Sequence, residues 1–398
     1  MDYLNEFFRN PLDHHVVIMV LTFILGTFVG SFLNVCIARM PLEKSILWPG
    51  SRCGSCLRPI RWYDNIPLLG YWRLQGHCRD CGSAFSSRYF WIEFLTGAMF
   101  AGLYWLECVE NIHGFGFVGT VSKMRVPQWQ MLLVWSSHAI FLCFLFVAAY
   151  IDYEYMEIPL QVTIPGTILG IILGTLMPWP WPMDVAQAYP HGWGDIRFGG
   201  GGLQGFALVD ALPAGAQRWP VWMPPPDWLV PGTWLMGLVT SVVGAAAGTL
   251  GIRFIRFAFS YAFGKEAMGL GDADLMMLIG AFLGWQALII VMVLAVMLAL
   301  AVILVQFLRN RISEIYFGPF LAAGAVIKLL APFAYTVLFN PQALFSGKKA
   351  VEWIDPIGTL QSVFFDVIIV GGLAVVAIVL VFIFTLIIRM VRLIGQAT

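Results

Sequence analysis

"VVIMVLTFILGTFVGSFLNVCIA", residues 16–38, carries no charged side chain over 23 positions. As a helix rising 1.5 Å per residue it would reach about 34 Å, enough to cross a hydrocarbon core of ~30 Å. Asp2, Glu6, Arg9 and Asp13 precede it, so there is no positive leader region, and no small-residue cleavage site follows. The stretch therefore reads as a retained membrane helix rather than a signal peptide.

Further apolar runs follow near 90–107, 131–151, 157–177, 233–258, 272–286, 287–308, 315–339 and 364–388. The sixth and seventh share one apolar stretch, divided near Gly284–Trp285. The expected fold is an all-α polytopic membrane protein of about nine transmembrane helices, with eight or ten still open. Composition agrees: the chain is 59% hydrophobic and 12% charged, whereas soluble domains are roughly a quarter charged. A formal net charge of zero argues against a nucleic-acid partner.

Lys and Arg placement sets the orientation. Arg39, Lys44, Arg52, Arg58, Arg61, Arg73, Arg79 and Arg88 crowd the first loop, and Arg253, Arg256, Lys265, Arg309, Arg311, Arg389 and Arg392 fall on its side. Only seven basic residues fall on the other, so the expectation is an outside N-terminus and a cytoplasmic 39–89 loop. The expected organisation is a first helix (1–38), the cysteine loop (39–89), a helix bundle (90–339) and a C-terminal segment (340–398). That last segment holds an external loop, an extra helix and a cytoplasmic tail. Within the bundle, 178–232 is an external stretch rich in Pro, Gly and Trp, read as an irregular lid or interfacial element.

"CGSC" at 53–56 and "CRDC" at 78–81 give C-x2-C-x21-C-x2-C, the spacing of a four-thiolate zinc ribbon. On the reducing side of a membrane, metal is favoured over disulfides. Cys53, Cys56, Cys78 and Cys81 would fill all four positions, so the expected zinc is structural. Cys36, Cys108 and Cys143 read as ordinary buried thiols.

Carboxylates at membrane depth are costly and usually functional. "AAYIDYEYMEIP" (148–159) closes the third span at Asp152, and "MGLGDADLMML" (268–278) opens the sixth at Asp272. With the orientation above, both lie at the cytoplasmic face. Two close carboxylates share one proton near neutral pH, one serving as base toward water and the other as acid toward a leaving amine. Singly, each has a duller reading: a solvated Asp152, and an Asp272 that caps a helix. Asp274 would face away from Asp272. Gly269 and Gly271 would let an extended peptide approach the backbone. Glu93, in "RYFWIEFLTG", either lines the same cavity or pairs with a basic neighbour such as Arg88.

"GTFVGSFLNVCIARMP" (26–41), the cysteine loop with "RYFWIEFLTG" (51–97), "GKEAMGLGDADL" (264–275) and "YFGPFLAAGA" (316–325) together resemble the bacterial type IV prepilin peptidases. The resemblance implies an inner-membrane, GxGD-type aspartic endopeptidase with a periplasmic N-terminus. It would cut the short basic leader of prepilins and pseudopilins after Gly on the cytoplasmic side. It also implies N-methylation of the new terminus with S-adenosylmethionine, and work for type IV pilus or type II secretion machinery. On this basis Asp152 and Asp272 match the catalytic pair, and the four cysteines match the zinc ligands. Two positions depart: Ile158-Pro159-Leu160 stands where Pro-Asp is common, and Asp274 where a Lys is common. A peptidase without methyl transfer is the nearer alternative. A polytopic transporter or assembly scaffold is the remoter one, disfavoured because the acids sit at one face and no internal repeat is evident.

Overall fold

The computed structural model describes residues 11–110, 118–121, 124–127, 129–176, 234–263, 269–309 and 316–330. The 178–232 stretch and the 364–388 run lie outside them. The chain divides into two compact units, Met1–Gly166 and Thr167–Thr398.

In the first unit, α1 (Pro11–Arg39) ends on a basic residue, which suits the negative end of the helix dipole. A 3-10 turn, Met40–Leu42, closes it, with Glu43 in the left-handed region. Across the cysteine loop lie a second 3-10 turn, Trp62–Asp64, and the short α2 (Leu69–Leu74). Then α3 (Arg88–Tyr104) runs into a π-helical turn, Trp105–Val109. A small antiparallel pair, β1 (Val118–Val121) and β2 (Met124–Pro127), pairs Val118 with Pro127 and Val121 with Met124. It is the one departure from helix-only architecture among the described residues. α4 (Trp129–Tyr155) completes the bundle, and α5 (Leu160–Leu176) leads out of the unit.

The α1–α3 seam explains the glycines of "GTFVGSF" and "FLTG". A side chain on Gly26 would come within 2.7 Å of the Thr96 carbonyl, and one on Gly30 within 2.7 Å of the Glu93 Cα. From the other side, a Cβ on Gly97 would meet Thr27 Cγ2 at 2.8 Å. Lipid offers no hydrophobic drive between apolar helices, so close backbone packing has to supply the association. Thr22, Thr27 and Thr96 turn their hydroxyls onto the carbonyls of Met19, Ile24 and Ile92, which keeps polar groups satisfied inside apolar helices.

In the second unit, α6 (Trp234–Phe263) packs along α7 (Leu270–Leu308), and α8 (Gly318–Leu329) packs on α7 in turn. Gly244 and Gly280 face each other so closely that a Cβ on either would fall 2.1 Å from the other's carbonyl. α7 is two helices joined at Gly284, whose φ of 76° lies in the left-handed region that glycine adopts freely. The break falls at the division expected between the sixth and seventh apolar runs.

Each of the first eight apolar runs thus holds a helix. Among the described residues, five stretches are long and apolar enough to cross a membrane: His15–Leu42, Arg88–Val109, Met131–Tyr155, Trp234–Tyr261 and Ala287–Leu308. Leu160–Leu176 and Gly318–Leu329 are shorter apolar helices.

Candidate metal centre and acidic residues

The two cysteine pairs build near-identical turns. In the first, the Cys53 carbonyl accepts from Leu57 N–H while the Cys53 N–H donates to the Arg58 carbonyl. In the second, the Cys78 carbonyl accepts from Gly82 N–H and the Cys78 N–H donates to the Ser83 carbonyl. The residue after the second cysteine is left-handed in both, Leu57 at φ 60° and Gly82 at φ 69°. A single backbone bridge flanks each turn, Arg52 to Pro59 and His77 to Ala84.

These turns bring all four sulfurs within 4.8 Å of one another. Cys53 Sγ lies 3.7 Å from Cys81 Sγ, and Cys56 Sγ lies 4.0 Å from Cys78 Sγ. A tetrahedral ion with bonds of ~2.3 Å requires sulfur–sulfur edges of about 3.8 Å, so the donor set fits zinc. The thiols also want a cation. Cys53 is drawn down to about 5 by the backbone at Cys56 and the Ser83 hydroxyl, and Cys81 is lowered mainly by Ser83. Cys56 goes the other way: backbone hydrogen bonding at Arg58 pulls it down, but desolvation and the neighbouring sulfurs carry it up to about 11. Four adjacent thiolates repel unless a divalent ion sits among them.

Around the centre, Arg79 grips Asp64 with two short bonds, Nε to Oδ2 at 2.7 Å and Nη2 to Oδ1 at 2.6 Å. Hydrogen bonding from Arg79 holds the Asp64 carboxyl below the usual carboxylate range. Arg79 lies between Cys78 and Cys81 in the chain, so the pair ties the Trp62–Asp64 turn to the second cysteine turn. Asp80 pairs with Arg58 and Arg61 at 3.6 and 3.8 Å, but these are exposed contacts that contribute little.

Glu93 is buried on α3, and its Oε2 accepts the backbone N–H of Leu68 at 2.8 Å. One carboxylate oxygen therefore holds the start of α2. Arg88 takes a different partner than Glu93: its Nη1 lies 2.9 Å from both carboxylate oxygens of Glu154.

That Arg88–Glu154 contact locates Asp152. It joins the first residue of α3 to the last turn of α4, at the end of the unit where the cysteine loop is attached. Asp152 stands two residues before Glu154 and is buried. Its carbonyl accepts from Met156 N–H, and Met156 takes a φ of 61° as the chain leaves the helix.

Asp272 belongs to the second unit. Gly269, not Asp272, takes the cap position of α7, in extended conformation, and Asp272 lies inside the first helical turn, buried. Its charge suits the positive helix end. Among the described residues, a Cβ on Gly269 would meet Asp272 Oδ2 at 3.7 Å and the Gly271 nitrogen at 3.9 Å, ordinary contacts that admit a methyl group. Asp274 accepts from Arg253 Nη2 of α6 at 3.2 Å, which separates its role from that of Asp272.

Comparison with known proteins matches these landmarks. The model described as the bacterial peptidase A24 N-terminal domain covers residues 24–106, and that of the type IV leader peptidase family covers 139–190 and 228–304. A prepilin leader peptidase/N-methyltransferase of Dickeya chrysanthemi is 30% identical over 337 residues, 77% of this chain and 90% of that one. The chain belongs to the type IV leader peptidase family. Similar proteins of the same description include one from Myxococcus xanthus, 33% identical over 278 residues (70% of this chain, 60% of that one). Another, from Aeromonas salmonicida, is 29% identical over 342 residues (78% and 89%). The chain thus spans 60% of the Myxococcus relative's length and about nine-tenths of the other two. No solved structure matches. The family's matched segments contain the four cysteines, Asp152 and Asp272.

Sequence reasoning missed a buried acid–base pair in the first unit, away from the cysteine loop. Glu107, on the π-helical turn after α3, contacts His138 Nδ1 of α4 at 2.5 Å. The pair sits 31 residues apart, so nothing in the local pattern announced it.

Proposed function

We propose that the protein is a membrane aspartic endopeptidase that removes the leader of type IV prepilins and pseudopilins after Gly, and N-methylates the new terminus. Family membership over the catalytic segments carries this reading. The proposed topology is nine spans with a periplasmic N-terminus and the cysteine loop in the cytoplasm, in the bacterial inner membrane.

Asp152 and Asp272 are the proposed dyad. One, ionised, takes a proton from a water molecule as the water oxygen bonds to the scissile Gly carbonyl carbon. The other, protonated, gives its proton to the amide nitrogen as the C–N bond breaks. Sharing one proton keeps the two carboxyls in these opposite states. Gly269 and Gly271 are the proposed backbone track for the leader, since residues without a side chain let an extended peptide approach the backbone closely.

Cys53, Cys56, Cys78 and Cys81 would hold a structural zinc ion, which folds a loop too small to bury a core. S-adenosylmethionine, when bound, supplies the methyl group for the new amine. Glu93 already holds Leu68, so it does not fit as an open ligand, and no methyl-transfer step is assigned to it.

The test is mass spectrometry of a prepilin incubated with the purified full-length protein and S-adenosylmethionine. A product shortened after Gly and carrying one added methyl supports the whole reading. A shortened, unmethylated product restricts it to the peptidase, and an intact prepilin overturns it.

A further inference from the structure

The cysteine loop carries a surface that neither zinc nor proteolysis explains. On α2, Leu69, Trp72 and Arg73 stand at i, i+3 and i+4, on one helical face. All three are exposed, Leu69 at 63% and Trp72 at 73%. The other side of α2 is held. A Cβ on Gly70 would fall 2.2 Å from the Asp64 carbonyl, and the Tyr71 ring packs 5.7 Å from Phe90 of α3.

The tethers of α2 fix its depth. Leu68 N–H bonds to Glu93, five residues into α3, and Tyr71 meets Phe90, two residues in. At 1.5 Å per residue these levels are about 7.5 and 3 Å inside the start of the membrane helix. The headgroup layer on each side of a bilayer is roughly 5–7 Å thick. With Arg88 at the surface, α2 spans that layer down to its inner edge, at the depth where α3 exposes Trp91. An aliphatic residue, a Trp and an Arg on one face are the composition of an interfacial anchor.

We propose that this face of α2 is a lipid-binding surface that beds the cysteine loop in the headgroup layer, with preference for anionic lipid. Charge selects the occupant. Residues 40–87 hold six basic and three acidic side chains, and four thiolates around a divalent ion add a charge of −2, so the loop keeps a net positive charge of +1, complementary to anionic phospholipid and repulsive toward a basic leader. The inference rests on the membrane reading of α3 and is independent of the peptidase reading.

The experiment places the photocrosslinker p-benzoylphenylalanine at position 72 of the full-length protein, in vesicles of phosphatidylcholine with or without phosphatidylglycerol. The same probe at Trp91 of α3 reports whether that helix is in the bilayer. We expect phospholipid adducts at both positions, with the yield at 72 rising several-fold when phosphatidylglycerol is present. Adducts at 91 but none at 72 overturn the proposal, as does a 72 adduct that moves to added prepilin. No adduct at 91 removes the membrane placement and the proposal with it. A second measurement uses the unlabelled chain: tryptic cleavage after Arg73 should be several-fold slower in anionic vesicles than in neutral detergent. Leu69→Ser/Trp72→Ser should abolish that difference while keeping its metal, and equal wild-type rates in both media contradict the proposal.

Discussion

Asp64 shows how a single carboxylate supports the four-cysteine cluster from outside it. Its pKa is lowered in the folded chain by Arg79, so its stabilisation is fully present above the ordinary carboxylate range of about 4 and fades as pH falls through the lowered value. Asp64→Asn should therefore speed amide hydrogen exchange in the loop at neutral pH, and the difference from wild type should shrink below about pH 4. A difference that persists in acid would mean the carboxylate acts through something other than Arg79. Gly269 makes the complementary case, since a methyl group there has room. Gly269→Ala should lower the melting temperature only slightly, by the cost of Ala at a helix cap, less than about 1 kcal/mol. If the backbone is a track for the leader, it should raise KM for prepilin cleavage with kcat little altered. Unchanged KM and kcat would remove Gly269 from the site.

At the scale of elements, helix seams and the cysteine loop divide the work. Gly280→Ala puts a methyl group 2.1 Å from the Gly244 carbonyl, and the α6–α7 seam must open to admit it. Overpacking of this kind costs about 1–3 kcal/mol, measurable as a lowered melting temperature in detergent; an unchanged value would mean the seam is looser than the geometry shows. Stripping the metal with a chelator should make the 40–87 loop protease-sensitive while the helices stay folded, because the loop has little core apart from the ion. Unchanged protection without metal would contradict a structural centre. Much of this was legible in sequence. C-x2-C spacing announced the cysteine turns, and apolar runs announced the helices down to the break at Gly284. The short α2 was not legible, since six residues make too little periodic signal. Neither was the use of Glu93, which depends on a backbone N–H 25 residues away.

For the whole molecule, the two aspartates sit on helices of different units, Asp152 at the end of α4 and Asp272 in the first turn of α7. Sequence offered an expectation of a shared depth and the family motifs around them. It did not supply what distinguishes Asp272 from its neighbour: Gly269 caps the helix, and Arg253 engages Asp274 instead. Glu107 and His138 lay beyond sequence reasoning because helix packing alone brings them together. Removing Glu107 leaves the buried His138 nitrogen without this partner, which costs ~1–3 kcal/mol, so Glu107→Ala should lower the melting temperature more than any exposed charge removal. A variant as stable as wild type would show the pair to be dispensable. The dyad itself is tested most directly by following leader removal from a prepilin with Asp152→Asn and Asp272→Asn, each purified as a folded protein of wild-type zinc content. We expect both variants to leave the prepilin uncut, and normal cleavage by either one would contradict the two-aspartate mechanism.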